Sequence, residues 1–391
     1  MIFINILLLI VFAIVIFFCL QLLLGLFATT SVVYGRHNRE ACLILIPAHN
    51  EEGDIRANLI AIKSQLENGD EIVVVADNCS DNTAAICQEQ NVMVIERTNK
   101  VEIGKGYALQ YGVDHIKTLK GLWRTLVIMD ADCQFTDSSL NSLVATSQAA
   151  NTVVQARYLM KSPDKSNIKL NISEFTWLIK NWIRPLGQKK LGISCHLQGS
   201  GMAFPLELFD KHSLASGSIV EDLELGLKIV KGGDDILFLP EACVISYFPQ
   251  NEEGLAIQRK RWEHGHMSVV ALMPKVMIGA MKKLDFKLFF QALDAAIPPT
   301  IIWMFFLALV TFVTFVLGFF TSFFWLKLYV ISCLTFTVLL SFCWLQFGQS
   351  ILTISQLKGI LPFVLSKFGI YKSYVSNREK TWVRTKRDDN E

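Results

Sequence analysis

The sequence predicts an α/β domain built on a mainly parallel sheet and joined to transmembrane and interfacial α-helices. Three observations carry this. From Cys42 to Met129, short Val- and Ile-rich runs alternate with helical stretches, and that alternation gives parallel strands with helices on both faces. Acidic motifs stand at the ends of these elements: Asp77 in VVVADNCSDNT, Asp130 and Asp132 in VIMDADCQF, and Glu221-Asp222 in VEDLELGLKI. Long runs almost free of charge flank the alternating region on both sides.

The strands are expected at Leu43–Pro47, Ile72–Ala76, Val92–Glu96 and Thr125–Met129. Helices are expected at Ile55–Leu66, Thr83–Gln90 and Tyr107–Lys117. In such sheets, ligands bind outside the carboxyl ends of the strands. The Pro47–Glu52 loop, Asp77 and Asp130 each follow a strand, so they are expected at one edge. No strand is followed by GxGxxG, and Gly104-Lys105-Gly106 lacks the upstream glycine of a P-loop, so neither nucleotide motif is present.

The chain has 391 residues, is 52% hydrophobic and carries a net charge of only +2, which leaves no global electrostatic case for nucleic acid. Its nine cysteines include no CxxC pair, so neither a zinc site nor a disulfide framework is indicated. Ile2–Ala28, Ile297–Phe320 and Phe323–Phe347 are long apolar runs, and at 1.5 Å per residue each can cross a hydrocarbon core of about 30 Å. Arg36 and Arg39 follow the first run. Lysines at 282, 283 and 287 precede the second, and a basic tail follows the third. Basic flanks face the cytoplasm. The chain is therefore expected to be an integral membrane protein with three spans, the N-terminus outside, and the central region and C-terminus cytoplasmic. Ala256–Leu293 and Gln356–Tyr374 mix lysines with large apolar residues, as helices at the headgroup boundary do. The expected organisation is an anchor (1–28), a catalytic region (36–255), interfacial helices (256–296), a membrane hairpin (297–347) and a basic tail (348–391).

Asp130 and Asp132 can face one cation if their turn curls around it. Carboxylates combined with substrate phosphates are the usual setting for Mg2+ or Mn2+. Asp77 can accept hydrogen bonds from a nucleobase or ribose; the competing reading is a cap for the following helix, a role Asp81 or Asn82 could fill. Glu221 and Asp222 open a helix, where first-turn N–H groups stabilise carboxylates. Asp222 is the candidate proton acceptor, with Glu221 as its orienting neighbour. In Gln258-Arg259-Lys260-Arg261-Trp262, helical spacing puts Gln258, Arg261 and Trp262 on one face. Arg261 suits a diphosphate, and Trp262 suits a sugar ring or lipid. The Gln198-Gly199-Ser200-Gly201 turn would let an acceptor approach the backbone, or is a plain tight turn. His264 and His266 flank Gly265 with no third ligand apparent.

These motifs, in this order, resemble the family 2 inverting glycosyltransferases with a GT-A fold. They are most similar to the membrane-integrated group that includes the cellulose, chitin and hyaluronan synthases, whose pattern is D, DxD, ED and Q(Q/R)xRW. The resemblance spans about Cys42 to Met267. The resemblance implies a nucleotide-sugar donor, a UDP-sugar as in that family, and a glycan or lipid acceptor at a lipid bilayer, the bacterial inner membrane. Export or assembly partners are left open, as is a non-catalytic subunit of a polysaccharide assembly complex. Carried over, Pro47, His49, Glu51 and Asp77 contact the nucleotide, with Lys105 nearby. Asp130 and Asp132 hold the diphosphate, Asp132 through the metal. Asp222 is the base, Gln198, Gly199 and Ser200 meet the acceptor, and Gln258, Arg261 and Trp262 close the site. Val220 stands where many members have Thr, and three spans are fewer than large processive synthases carry.

Overall fold

A computed structural model of the chain describes residues 2–28, 39–119, 121, 123–136, 138–366, 369 and 374. Arg36 and nearly all of the basic tail beyond Ser366 lie outside the described residues. Helix α1 (Ile2–Leu26) comes first. Then follow β1 (Cys42–Ala48), α2 (Ile55–Lys63), β2 (Glu71–Asp77), α3 (Thr83–Glu89), β3 (Met93–Arg97), α4 (Lys105–Ile116) and β4 (Thr125–Ile128). Next are β5 (Gln134–Phe135), α5 (Ser139–Ala150) and β6 (Val153–Lys161). Helix α6 (Ile168–Leu178), a π-helical turn (Ile179–Ile183) and α7 (Arg184–Lys190) interrupt the sheet before β7 (Met202–Pro205), α8 (Glu221–Lys231) and β8 (Ile236–Tyr247). The chain continues through α9 (Glu252–Lys282), α10 (Phe286–Ala295), α11 (Thr300–Gly318), α12 (Phe324–Cys343) and α13 (Ile360–Ser366).

Two compact units result. The sheet unit holds residues 39–163 and 194–265; the helical unit holds 2–28, 164–193 and 266–366. In the sheet unit the strand order is β3-β2-β1-β4-β7-β6-β8-β5. The first four strands are parallel. β7 runs antiparallel to β4 and to β6, and β5 antiparallel to β8, so the complete sheet is mixed. The Val- and Ile-rich runs predicted as strands are the ones that form the parallel half; β1, β2 and β4 are buried on both faces, as interior parallel strands require, while β3 stands half-buried at the edge. Helix α4 lies close on this layer because Gly112 has no side chain: a Cβ there would stand 2.5 Å from Leu45 Cδ1. The parallel order puts the carboxyl ends of β1, β2 and β4, with the loops they carry, along one edge.

The helical unit has its own core, in which Phe18 and Leu22 of α1, Ile183, Trp303 of α11 and Phe336 of α12 meet. Nothing in the residue pattern marks 164–193 as leaving the sheet to join these helices. Inside the unit, Arg184 donates to Asp294 Oδ1 (2.5 Å) and to Gln21 Oε1 (3.1 Å), while the Gln21 amide donates to the same Asp294 oxygen (2.6 Å). The Arg184 guanidinium also sits 4.5 Å above the Phe18 ring. Two helices among the described residues are long and apolar enough to cross a membrane, Ile2–Leu26 and Phe324–Gly348, with mean hydropathy 3.3 and 2.1. The run expected from 297 to 320 forms a shorter helix: Pro298 and Pro299 delay its start to Thr300, and it ends at Gly318.

Candidate functional site

Helix α4 begins at Lys105 because Gly104, at φ 134°, takes a backbone conformation that side chains disfavour and so ends the preceding loop. This start aims the Lys105 ammonium at the carboxylates beyond β4 and α8. Lys105 Nζ lies 2.5 Å from Asp130 Oδ1 and 3.8 Å from Glu221 Oε1, and it donates to the Gly199 carbonyl at 2.7 Å. A small opening remains: 19% of the Lys105 side chain, 26% of Asp130 and 17% of Glu221 are exposed. Lys105, Glu221 and Asp222 also line one cleft with Gly106, Leu109 and Lys228.

The turn after β4 curls as expected. The Cys133 N–H closes on the Asp130 carbonyl at 3.1 Å. One ligand atom from each of Asp130, Asp132 and Cys133 then falls within 4.8 Å of the others. Asp132 Oδ2 accepts from Ser246 Oγ at 3.1 Å. The two carboxylates fit a hard divalent cation. Burial, reinforced by Asp132 and Asp130, pushes the Cys133 thiol well above its ordinary value, and a hard cation prefers the carboxylate oxygens.

The turn at Gln198–Gly201 lies against both groups. Gly199 (φ 93°) and Gly201 (φ 68°) occupy the left-handed region. A Cβ on Gly199 would stand 3.3 Å from Asp222 Oδ2, 3.7 Å from Lys105 Nζ and 4.0 Å from Asp130 Oδ2. Gly199 therefore marks the point where the Asp130 turn, Lys105 and Asp222 converge. Ser200 Oγ accepts from the Asp130 N–H at 3.1 Å. Buried Gln155 of β6 fixes the turn from below, its amide donating to the Ser200 carbonyl (2.9 Å) and its oxygen accepting from the Gln198 N–H (2.8 Å). Sequence reading missed Gln155, Ser246 and Cys133; the first two lie inside strands with nothing in the pattern to mark them.

Charge is unevenly shared here. Burial acts to lower the Lys105 ammonium, yet Asp130, Glu221 and Asp222 together hold it above its ordinary value. Burial raises the Asp130 carboxyl; Lys105 opposes this, and Asp132 and Asp222 add to it. Burial likewise pushes Glu221 up to about 7, with Lys105 opposing and Asp222 and Asp130 adding.

Asp77, Pro47, His49 and Glu51 form a second group at the ends of β1 and β2. Asp77 is 6% exposed and pairs with Arg97, Nη1 to Oδ1 at 2.7 Å, because the register sets the last residues of β2 and β3 side by side. His49 Nδ1 is 2.6 Å from the Asp77 carbonyl oxygen, and the Glu51 N–H donates to Thr83 Oγ1 at 2.8 Å. Asp81, rather than Asp77, accepts from the Thr83 N–H at 3.0 Å, so the turn before α3 is held by one of the two residues named as alternatives to Asp77 for that role. Arg97 was also missed, although it follows the predicted strand Val92–Glu96 as directly as Asp77 follows its own. Gln258, Arg261 and Trp262 stand on α9; Gln258 is buried, and Arg261 and Trp262 are half-buried.

Residues 43–212 match the model of the family described as Glycosyl transferase family 2. A protein of Bacillus subtilis (strain 168), "Probable glycosyltransferase YdaM", is 27% identical over 240 residues. The match spans 58% of this chain and 55% of that protein, so the chain covers only about half the length of this curated relative. Among solved structures, mannosyltransferase PcManGT from Pyrobaculum calidifontis, in complex with GDP-Man and Mn2+, is similar with a TM-score of 0.53 over 84% of this chain and 94% of that one. At 16% identity this is a likeness of fold, and it agrees with the mixed α/β sheet described above. The comparisons support a GT-A-like fold, with residues 43–212 similar to family 2 glycosyl transferases.

Proposed function

We propose that this chain is an inverting, metal-dependent family 2 glycosyltransferase. It moves a sugar from a nucleoside diphosphate donor to a hydroxyl of a membrane-associated, growing glycan. The observation that carries the reading is the convergence of Lys105, Asp130 and Asp222 on Gly199, inside and just beyond the region that matches the family. Asp222 accepts the proton of the acceptor hydroxyl, whose oxygen bonds to the anomeric carbon as the bond to the diphosphate breaks. Glu221 orients that base, and the Gln198–Gly201 turn presents the acceptor to it. Asp130 and Asp132 would hold Mg2+ or Mn2+, which when bound stabilises charge on the departing diphosphate. Asp77, His49, Pro47 and Glu51 hold the nucleoside, with Arg97 orienting Asp77. Arg261 meets the diphosphate, and Gln258 and Trp262 close over the acceptor.

A membrane setting is supported by apolar residues that no protein atoms cover: Ile6 and Leu9 on α1 are 51% and 57% exposed, and Phe312 and Leu334 on α11 and α12 are each 62% exposed. We place α1, α11 and α12 across the bilayer, the N-terminus outside, and α9 and α10 at the headgroup boundary. At nineteen residues α11 lies within the spanning range of roughly 17–25.

The test is nucleotide release from native membranes over a panel of UDP- and GDP-sugars with Mn2+, followed by product analysis. A UDP-sugar is the expected donor and a lengthening glycan the expected product. A single sugar on lipid would instead select the glycolipid reading, which the membrane-facing helices also favour. No nucleotide release from any donor would overturn the enzyme assignment.

A further inference from the structure

Lys105 brings a positive charge into contact with the acidic cluster. Its ammonium lies 2.5 Å from Asp130 Oδ1, on the carboxylate that would ligate a cation, and it reaches Glu221 at 3.8 Å and the Gly199 carbonyl at 2.7 Å. One carboxylate oxygen cannot hold an ammonium and a divalent cation in contact without strong repulsion between the two. A diphosphate changes this balance, because it brings fresh negative charge and offers Lys105 another partner. We propose that Lys105 is the resident counter-ion of Asp130 and is exchanged for the divalent cation when the donor's diphosphate arrives. The proposal rests on the glycosyltransferase reading given above.

Two consequences follow from the same three contacts. Cation and nucleotide bind with positive coupling, each strengthening the other by the same factor. The exchange also frees Glu221 and the Gly199 carbonyl from the ammonium. The acceptor turn and the start of α8 therefore lose a shared tether at the moment the donor is seated. In the resting state that tether holds the turn over Asp222, whose Oδ2 would be 3.3 Å from any Cβ on Gly199.

The experiment measures Mn2+ binding to the full-length protein by electron paramagnetic resonance, alone and with UDP or GDP. Wild type is expected to bind Mn2+ at least tenfold more tightly with nucleotide than without. Lys105→Met is expected to bind Mn2+ alone at least tenfold more tightly than wild type and to lose most of the nucleotide enhancement. Lys105→Arg keeps the charge and should behave as wild type. Adding Asp132→Ala to Lys105→Met should remove the gained affinity, which ties it to this site. Melting temperatures of all variants establish that each is folded. Equal or weaker Mn2+ binding in folded Lys105→Met, or no nucleotide enhancement in wild type, overturns the exchange. Donor turnover is read separately. Exchange without nucleotide release from any sugar donor would leave Lys105 in this role and remove the glycosyltransferase reading alone.

Discussion

Two clusters of charge among the described residues are built to opposite rules. In the helical unit, Arg184 and Asp294 cancel one another, Gln21 takes up remaining hydrogen bonds, and the side chains are 8% and 5% exposed. In the sheet unit, one ammonium faces Asp130, Glu221 and Asp222, with Asp132 beside them. A charge set that serves only the fold is satisfied internally, because an unpaired enclosed charge is costly. Asp130, Glu221 and Asp222 share the Lys105 ammonium, an arrangement suited to something that arrives: a cation, a proton or both.

The comparison can be broken most decisively at Asp222. Asp222→Asn removes a proton acceptor without changing shape, so transfer should fall by about 10²–10⁴-fold, with nucleotide binding kept; turnover close to wild type would return Asp222 to the role of a helix-start acid. In the helical unit, Arg184→Leu leaves Asp294 enclosed and alone. It should cost about 3–5 kcal/mol, and adding Asp294→Leu should restore most of that, because paired apolar replacement removes both charges. Thermal unfolding in detergent measures both; an Arg184→Leu protein as stable as wild type would show that the pair is not enclosed in solution. Gly199→Ala comes next. The left-handed backbone and the 3.3 Å approach to Asp222 together predict a cost of about 1–3 kcal/mol and slower turnover, to be read as a lower melting temperature with the loss in kcat rather than donor KM.

The smallest effect is a pH slope. Glu221 is held at about 7 against an ordinary 4.5. Between those values the unfolded chain releases this proton while the folded chain retains it, so the Glu221 contribution weakens as pH rises through the window and then levels off. Glu221→Gln should flatten that slope by at most about 1.4 kcal/mol per pH unit, visible as melting temperatures that converge with wild type below the window and exceed it above.

Much of the parallel half of the sheet was legible because its strands are continuous Val and Ile runs that end in carboxylates. β1, β2 and β4 form within a residue or two of their predicted bounds, and the turn at Asp130 curls as its spacing requires. What stayed hidden was set by partners distant in the chain. Gln155 and Ser246 look like ordinary strand residues until β6 and β8 bring them beneath Ser200 and Asp132. Arg184 reads as one more basic residue in a mixed stretch, and only Asp294, 110 positions later, explains it. The strand-end rule that found Asp77 would have found Arg97 as well, had it been applied to β3.

The segment from Asp164 to Ile193 also sets the order in which the molecule can be finished during synthesis. Its arginine waits for an acid that the ribosome has not yet made, while β7 and β8, still to come, are needed to complete the sheet it interrupts. All the strands are made by Tyr247, so the sheet can close while Arg184 still lacks Asp294. A shortened gene stopping after β8 would yield a sheet with all its strands and, within it, an excursion whose cation has no counterpart.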